Sequence, residues 1–121
     1  QLLFEGSEES PDHDGLGILP GTIRRLGDHV KRPQMQWNQI SVCRPTPLLK
    51  GLDGAWLYFV HSYAADPAPL GDAVVATCEY GGDVVAAVQR DNVMATQFHP
   101  EKSSDVGSEL LANFVGLCEV R

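Results

Sequence analysis

The sequence predicts an α/β fold in which a β-meander is followed by one C-terminal helix. Four runs rich in aromatic and branched residues, at 56–63, 73–80, 83–89 and 93–98, predict the strands of the meander. Apolar residues at helical spacing between Val106 and Leu117 predict the helix. The length of 121 residues is about that of one domain.

The first part of the chain predicts a helix end followed by a loop. Residues 1–5 are typical of the end of a helix, with Gly6 as its stop. There is neither an initiator methionine nor an N-cap before them, which predicts a fragment of a longer protein. Residues 7–17 predict an acidic surface loop, and Pro20 and Gly21 interrupt residues 18–26.

The middle of the chain predicts little regular structure before the meander. A short strand is expected over residues 37–42, after which Pro45 and Pro47 exclude regular structure. Residues 48–52 predict one helical turn. Within the meander, residues 64–72 predict a loop, Gly81 and Gly82 a tight hairpin, and residues 90–92 another turn.

The C-terminal helix is expected to be amphipathic and to pack on the sheet. Ser103 or Ser104 can cap it, and Asp105 lies in its first turn. Its apolar stripe is Val106, Leu110, Phe114 and Leu117, with Leu111, Val115 and Cys118 beside it.

The charge balance excludes several classes of function. The net charge of −7 argues against non-specific binding to nucleic acid and against docking on an anionic membrane. No apolar run approaches the roughly 20 residues that span a bilayer, and no signal peptide is visible. The basic residues Arg24, Arg25, Lys31 and Arg32 form a local cluster, either as solvated surface or as a partner-facing patch.

The three cysteines predict structural thiols rather than a metal site or a nucleophile. Cys43, Cys78 and Cys118 are widely spaced and form no CxxC or other metal-ligand pattern. This usage indicates reduced thiols in a cytoplasmic protein. None has the electropositive, exposed setting of a reactive cysteine, such as a helix N-terminus.

The segment His99-Pro100-Glu101 carries the strongest chemical signal. In an extended segment, residues two apart point to the same side, and Pro100 restrains His99 to extended geometry. A carboxylate beside an imidazole selects its tautomer and raises its basicity, as a general base requires. The alternative from these residues alone is a turn with a surface ion pair.

The segment FHPEKS, residues 98–103, resembles the C-terminal signature of class I glutamine amidotransferases, in which a Cys-His-Glu triad hydrolyses the side-chain amide of glutamine. Residues 1–9, QLLFEGSEE, resemble the helix that follows the nucleophilic cysteine in that family. The resemblance therefore places the cysteine before Gln1, outside the chain.

Three further segments resemble one branch of the family, the glutaminase subunits of imidazole glycerol phosphate synthase. Residues 58–63, YFVHSY, match a strand of those subunits, and residues 103–114 match the opening of their last helix. Residues 33–38, PQMQWN, resemble their P-H-M-G-W-N segment, with Gln34 in place of the usual His and Gln36 in place of the usual Gly.

The resemblance implies a flavodoxin-like three-layer α/β fold, of which residues 1–121 would be the C-terminal part of a single domain. It implies hydrolysis of glutamine to glutamate and ammonia, which passes to a (β/α)₈ cyclase partner in histidine biosynthesis. His99 would be the catalytic base and Glu101 would orient it. No cofactor or metal is implied, and the chain alone is expected to be inactive.

The resemblance also implies binding residues. Contacts to the substrate glutamine are expected at Gln1, Glu9, His61, Ser62 and Tyr63, mostly through the backbone at Ser62 and Tyr63. The alternatives are a satisfied core histidine at His61 and a plain loop acid at Glu9. The partner interface is expected at Trp37, Asn38 and Tyr58, unless Trp37 packs in the core of this chain.

Two other functions are compatible with these residues. One is a class I amidotransferase that feeds a different acceptor, as in pyridoxal phosphate or purine synthesis. The other is a non-catalytic amidotransferase-like subunit that kept the fold and lost the cysteine.

Overall fold

The computed structural model describes residues 1–119, which form two β-sheets and one α-helix. The strands are β1 (Phe4–Ser7), β2 (Leu19–Arg25), β3 (Gln34–Val42), β4 (Trp56–His61), β5 (Tyr63–Ala64), β6 (Val74–Glu79), β7 (Asp83–Arg90) and β8 (Val93–Thr96). The α-helix is α1 (Ser104–Leu117), and short 3-10 helices cover Pro47–Leu49, Ala68–Ala73 and Pro100–Lys102. The predicted combination of a sheet and a C-terminal helix is confirmed.

The larger sheet is antiparallel throughout and contains most of the predicted strands. Its order is β4-β3-β6-β7-β8. β6, β7 and β8 form the predicted meander, and Gly81 and Gly82 turn the chain with φ of 69° and 132°, values at which a Cβ is disfavoured. The prediction that residues 56–63 open this meander is wrong, because β3 lies between β4 and β6 and pairs with both.

The predicted strand at residues 56–63 is divided between the two sheets. β4 ends at His61, Ser62 leaves the strand, and β5 pairs with β2 in the smaller sheet through Arg25 and Tyr63. Residues 61–63 therefore form a corner where the chain passes from one sheet to the other.

The smaller sheet has the order β1-β2-β5 and corrects the prediction for the start of the chain. The helix end expected at residues 1–5 is wrong, since residues 4–7 form β1, parallel to β2. The carbonyls of residues 2–5 accept backbone N–H groups from residues 15–19. Five residues can close at most about one helical i→i−4 bond among themselves, so this pairing satisfies more backbone groups.

β2 was not predicted because Pro20 and Gly21 interrupt its apolar pattern. The strand accommodates them with a register shift between Leu19 and Thr22. Gly21 has φ of 108°, and its N–H donates to the Glu5 side chain (2.8 Å). The bulge leaves Leu19 and Ile23 buried together.

β7 lies between two groups of buried apolar side chains, which explains its unbroken apolar run. Ala86 and Ala87 belong to one group, while Val85 and Val88 belong to the other. In the first group, the rings of Phe59 and Phe98 meet edge to face with centroids 5.7 Å apart. This contact joins β4 to the segment after β8, in which Phe98 directly precedes His99.

α1 is buried only over its first half. Leu110 is buried, and Asn113 donates to the carbonyls of Leu48 (3.0 Å) and Lys50 (3.1 Å). Phe114 and Leu117 of the predicted stripe are 41% and 40% exposed, so the expected packing is found at Val106 and Leu110 and not along the second half of the stripe. Within residues 1–119, no helix has the length and apolar character that a membrane crossing requires.

Candidate functional site

His99 and Glu101 lie in the segment that follows β8, one edge strand of the larger sheet. This segment hydrogen-bonds to β4, the other edge strand. The His99 backbone N–H donates to the Tyr58 carbonyl of β4 (3.0 Å) shortly after β8 ends. His99 is extended, with φ of −102° and ψ of 100°, as predicted. Residues 100–102 form a 3-10 turn instead of continuing the extended segment. The turn still brings the side chains together, with His99 Nδ1 2.7 Å from Glu101 Oε1.

The pair has the proton arrangement that a general base needs. A carboxylate only accepts, so the proton of the neutral ring lies on Nδ1 and is donated to Glu101. No hydrogen-bond partner for His99 Nε2 is found among the described residues, and the side chain is 40% exposed. The Glu101 backbone N–H and then the His99 ring hold the pKa of the Glu101 carboxyl below its usual range. The carboxylate therefore stays charged at neutral pH and orients the ring.

The Ser103 side chain fixes the position of the His99 backbone. Its hydroxyl is fully buried, donates to the His99 carbonyl (2.7 Å) and accepts the Tyr58 N–H (2.9 Å). Ser103 occupies the N-cap position of α1, but its side chain makes no capping hydrogen bond. Of the two caps that the sequence allows, Ser103 and Ser104, Ser103 has the N-cap position but not the capping hydrogen bond.

His61 is buried at the corner between the two sheets, with both ring nitrogens engaged. Nδ1 lies 2.8 Å from the Tyr63 carbonyl, and Nε2 lies 2.7 Å from the side-chain amide of Gln34, which is fully buried. Burial lowers the pKa of His61, with partial opposition from the Tyr63 hydrogen bond and a smaller lowering by charge on His99. The ring is therefore neutral at pH 7 and faces the protein interior.

Gln1 contacts two of the predicted site segments, whereas Glu9 does not. The Gln1 side-chain amide donates to the Tyr63 carbonyl (3.0 Å) and to the Gln97 side chain (3.1 Å), two residues before His99. Gln1 and Glu9 line the same cleft, of about 280 Å³. Among the described residues, Glu9 makes no hydrogen bond to the other predicted substrate residues. The Ser62 carbonyl accepts the Leu26 N–H (2.9 Å), which ties the corner to the end of β2.

The predicted interface residues Trp37 and Tyr58 lie opposite each other on β3 and β4. Their rings meet edge to face with centroids 6.0 Å apart, and Trp37 is 44% exposed, so it does not pack in the core. Asn38 points to the other side of the strand and donates to the Glu79 carbonyl (2.8 Å). The backbone of Tyr58 contacts both His99 and Ser103, which places this face beside the His99–Glu101 pair.

The predicted basic cluster includes Arg24 and Arg32, and each of them lies next to a carboxylate. Arg24 lies 3.9 Å from Glu8, and Arg32 lies 2.8 Å from Asp28 and also donates to the Leu26 carbonyl. These exposed or partly exposed contacts are typical of solvated surface ion pairs.

Two structurally important residues were not identified from the sequence. Gln34 was noticed only as a departure from a usual His, because its burial opposite His61 depends on a strand register that the sequence does not reveal. Gly107 was noticed only as part of the last helix. A Cβ there would lie 1.9 Å from the Pro100 carbonyl oxygen, and the signal that could have revealed this is the presence of glycine inside a helix.

Comparison with known proteins assigns most of the chain to one family model. The model described as glutamine amidotransferase class-I matches residues 6–117. Among curated relatives is the imidazole glycerol phosphate synthase subunit HisH of Syntrophotalea carbinolica, 52% identical over 94% of this chain and 59% of that protein. The protein of the same name from Methanothermobacter thermautotrophicus is 45% identical over 95% of this chain and 57% of the relative. The chain thus spans less than two thirds of the length of these relatives.

Solved structures show the same fold at low sequence identity. A protein from Thermoplasma acidophilum described as a putative GMP synthase component matches with a TM-score of 0.61 and 22% identity, over 79% of this chain and 47% of that one. A structure described as a glutamine amidotransferase also matches with a TM-score of 0.61, at 21% identity over 94% of this chain and 56% of that one. The fold expected from the sequence is confirmed.

Proposed function

The chain belongs to the class I glutamine amidotransferase family, and from that premise we propose that it is part of a glutaminase subunit of imidazole glycerol phosphate synthase. The protein would hydrolyse glutamine to glutamate and ammonia and pass the ammonia to a cyclase partner in histidine biosynthesis. The relatives named as subunit HisH, at 45% and 52% identity, support this branch of the family. A cytoplasmic location and a place for residues 1–121 within one amidotransferase domain are parts of the same proposal.

The observation that carries the proposed chemistry is the hydrogen bond between His99 and Glu101 together with the free Nε2 of His99. Nε2 would take the proton of a cysteine thiol as the thiolate attacks the side-chain amide carbon of glutamine. The same nitrogen would then protonate the leaving amine, releasing ammonia and leaving a thioester. Water would cleave the thioester, with His99 again as base, to give glutamate and the free thiol. Glu101 would remain charged and orient the ring throughout.

We place the nucleophile outside these 121 residues. Cys78 is buried, and burial raises the pKa of its thiol to about 11, which suppresses the thiolate. Cys43 and Cys118 are exposed at the ends of β3 and α1, where no contact with His99 is found in the described part of the chain. The chain by itself is therefore expected to have no glutaminase activity.

The proposed substrate contacts are the side chains of Gln1 and Glu9 and the backbone of the corner formed by His61, Ser62 and Tyr63. The corner at residues 61–63 supports this assignment, because Gln1 reaches both Tyr63 and Gln97 and so lies between the corner and the His99 segment. Glu9 lies in the cleft that Gln1 also lines. Its carboxylate could there accept a hydrogen bond from the amino group of the substrate glutamine.

The proposed partner surface is the exposed face around Trp37 and Tyr58, with Asn38 stabilising the strand beneath it. Ammonia that escapes into water at neutral pH is protonated and is no longer a nucleophile. A partner seated next to the His99–Glu101 pair would shorten the path that ammonia must travel.

The test separates glutamine hydrolysis from use of ammonia. In the complete glutaminase with its cyclase partner, His99→Ala should lower glutamine-dependent turnover by about 10²–10⁴-fold. Turnover supported by added ammonium salt should remain near the wild-type rate, since the cyclase needs only ammonia. His29, which is exposed and lies outside the cleft lined by Gln1 and Glu9, serves as the control: His29→Ala should leave both rates unchanged. Full glutamine-dependent activity in His99→Ala would refute the proposed role of this residue.

A further inference from the structure

Three side chains form a connected polar chain inside an otherwise apolar part of the molecule. Gln34 on β3 and His61 on β4 are partners in the strand register, and their side chains meet at 2.7 Å. The Gln34 amide also lies 4.0 Å from Cys78 Sγ on β6. At the other end of this row of polar contacts, His61 Nδ1 lies 2.8 Å from the Tyr63 carbonyl. The contacts run from β6 through β3 and β4 to the corner at residues 61–63.

The identity of the groups determines where the protons lie. The Tyr63 carbonyl can only accept, so His61 Nδ1 carries a hydrogen. In a buried neutral ring Nε2 then has none, and it must accept from the amide NH₂ of Gln34. In the structure Gln34 Oε1 faces His61 Nε2, and Gln34 Nε2 faces Cys78 Sγ. The two ends of a planar amide have nearly the same shape, so a half turn exchanges them with no other movement and brings the NH₂ towards His61. In that turned orientation the Cys78 thiol would donate to the amide oxygen, and every polar atom of the three side chains would have a partner.

The corner that receives these contacts has its backbone fixed from several sides. The Tyr63 carbonyl accepts from His61 and from the Gln1 side chain (3.0 Å). The Ser62 carbonyl accepts from the Leu26 N–H (2.9 Å). Of these three donors, His61 alone is held in turn by a fully buried side chain, that of Gln34.

We propose that His61 is a positioning residue for the Ser62–Tyr63 backbone, and that Gln34 holds the His61 ring in its Nδ1–H form by donating to Nε2. The inference rests on the proposed function in one respect only, that the Ser62–Tyr63 backbone binds glutamine. It adds that the imidazole acts through the Tyr63 carbonyl and does not itself touch the substrate.

The proton arrangement can be tested without any enzyme activity. Long-range ¹⁵N–¹H spectra of the histidine-labelled chain, assigned with His61→Gln, report which ring nitrogen of His61 is protonated. At neutral pH the Nδ1–H tautomer is expected. An Nε2–H tautomer or an imidazolium would overturn the proposal, even if the protein were a glutaminase.

A substitution at Gln34 distinguishes hydrogen bonding from space filling. Gln34→Glu has almost the same shape, but its carboxylate only accepts, so His61 should become doubly protonated at neutral pH. An unchanged ring signal in this variant would show that the side chain at position 34 does not hydrogen-bond Nε2, and the proposal would be wrong. Should Gln34→Glu fail to fold, the tautomer of the unmodified chain still decides the question.

The kinetic test uses the complete glutaminase with its cyclase partner. Gln34→Met keeps the volume and loses the hydrogen bonds, so KM for glutamine should rise by up to about tenfold, the equivalent of one hydrogen bond. The kcat value and ammonia-dependent turnover should change little. Gln34→His, which can still donate to Nε2, should restore KM. If Gln34→Met lowers kcat and leaves KM unchanged, the positioning role is wrong, whereas an inactive wild-type complex contradicts the proposed function instead.

Discussion

The two histidines near the site, His61 and His99, differ in which ring atoms are free. His99 is partly exposed, donates from Nδ1 to a carboxylate and keeps Nε2 open. His61 is buried and has a protein partner on both nitrogens. Only a ring with a free nitrogen can exchange a proton with a substrate, so the difference in hydrogen bonding separates a catalytic role from a supporting one.

The pKa of His61 predicts a pH dependence of stability. Because burial lowers this pKa in the folded protein, the unfolded chain, with an ordinary value of about 6.5, binds the proton more readily. The stability contributed by the neutral ring is complete above about pH 6.5 and is lost as the pH falls from there towards the folded pKa. Urea unfolding should therefore show a free energy of unfolding that decreases over this interval.

Two variants isolate the contribution of His61. In His61→Gln the decrease in the free energy of unfolding should be smaller, because the titrating ring is gone. In His13→Gln, where the replaced ring is exposed, the decrease should match that of the wild type. An identical pH dependence in all three proteins would show that His61 is not desolvated.

Burial of Cys78 predicts its resistance to alkylation. Its pKa is raised to about 11, whereas Cys43 and Cys118 are exposed. In the folded protein near neutral pH, iodoacetamide should modify Cys43 and Cys118 first, and Cys78 only after denaturation. Mass spectrometry of peptides from a time course measures the order. Modification of Cys78 at the rate of the other two would contradict its buried setting.

At the scale of elements, the contact between α1 and the 3-10 turn at Pro100–Lys102 positions the His99–Glu101 pair. Gly107 packs against this turn, and its N–H donates to the Ser103 carbonyl (3.1 Å). A Cβ at Gly107 would lie 1.9 Å from the Pro100 carbonyl oxygen. Because that atom belongs to the backbone, the helix or the turn must move to make room.

Gly107→Ala is expected to lower the free energy of unfolding by about 1–3 kcal/mol through this overpacking. The matched control is Gly116→Ala in the same helix, where nothing lies within 4 Å of the added Cβ. Alanine favours helix formation, so the control should gain up to about 1 kcal/mol. Chemical denaturation of both variants measures the difference. Equal effects at the two positions would mean that the contact with Pro100 does not constrain the helix.

The elements could be predicted where local signals act alone. Strands β6, β7 and β8 follow from their branched residues and from Gly81 and Gly82, since a short hairpin needs no distant partner. β1 and β2 were not predicted because each is stabilised by pairing with the other, and because Pro20 interrupts the apolar pattern of β2. The exposed second half of α1 could not be foreseen, because helical spacing identifies an apolar face and not what covers it.

At the scale of the whole molecule, the candidate site combines local and distant residues. The meeting of His99 and Glu101 could be predicted because the two residues are separated only by Pro100. The contacts of Gln34 with His61 and of Ser103 with Tyr58 span 27 and 45 residues and depend on strand register and chain path. Sequence reasoning therefore identifies the proposed base and its orienting acid, while the residues that hold them require the structure.

The exposed face of β3 and β4 adjoins the site and predicts where a partner docks. Met35, Trp37 and Trp56 are all exposed, and Trp37 packs against Tyr58, whose carbonyl accepts the His99 N–H. Exposed apolar patches of this kind are typical of protein interfaces. A cyclase seated on this face would receive ammonia close to the nitrogen proposed to release it.

If Trp37 anchors the partner, Trp37→Ala should weaken cyclase binding by about 2 kcal/mol or more, roughly 30-fold in Kd. The free energy of unfolding should fall by only about 1 kcal/mol, the contribution of the ring contact with Tyr58. Phe114→Ala is the matched control, because Phe114 is 41% exposed against 44% for Trp37 but lies on α1. Titration calorimetry with the purified cyclase measures both affinities. A greater loss of affinity in Phe114→Ala would place the interface on the helix, where the partner would no longer adjoin His99 through Tyr58.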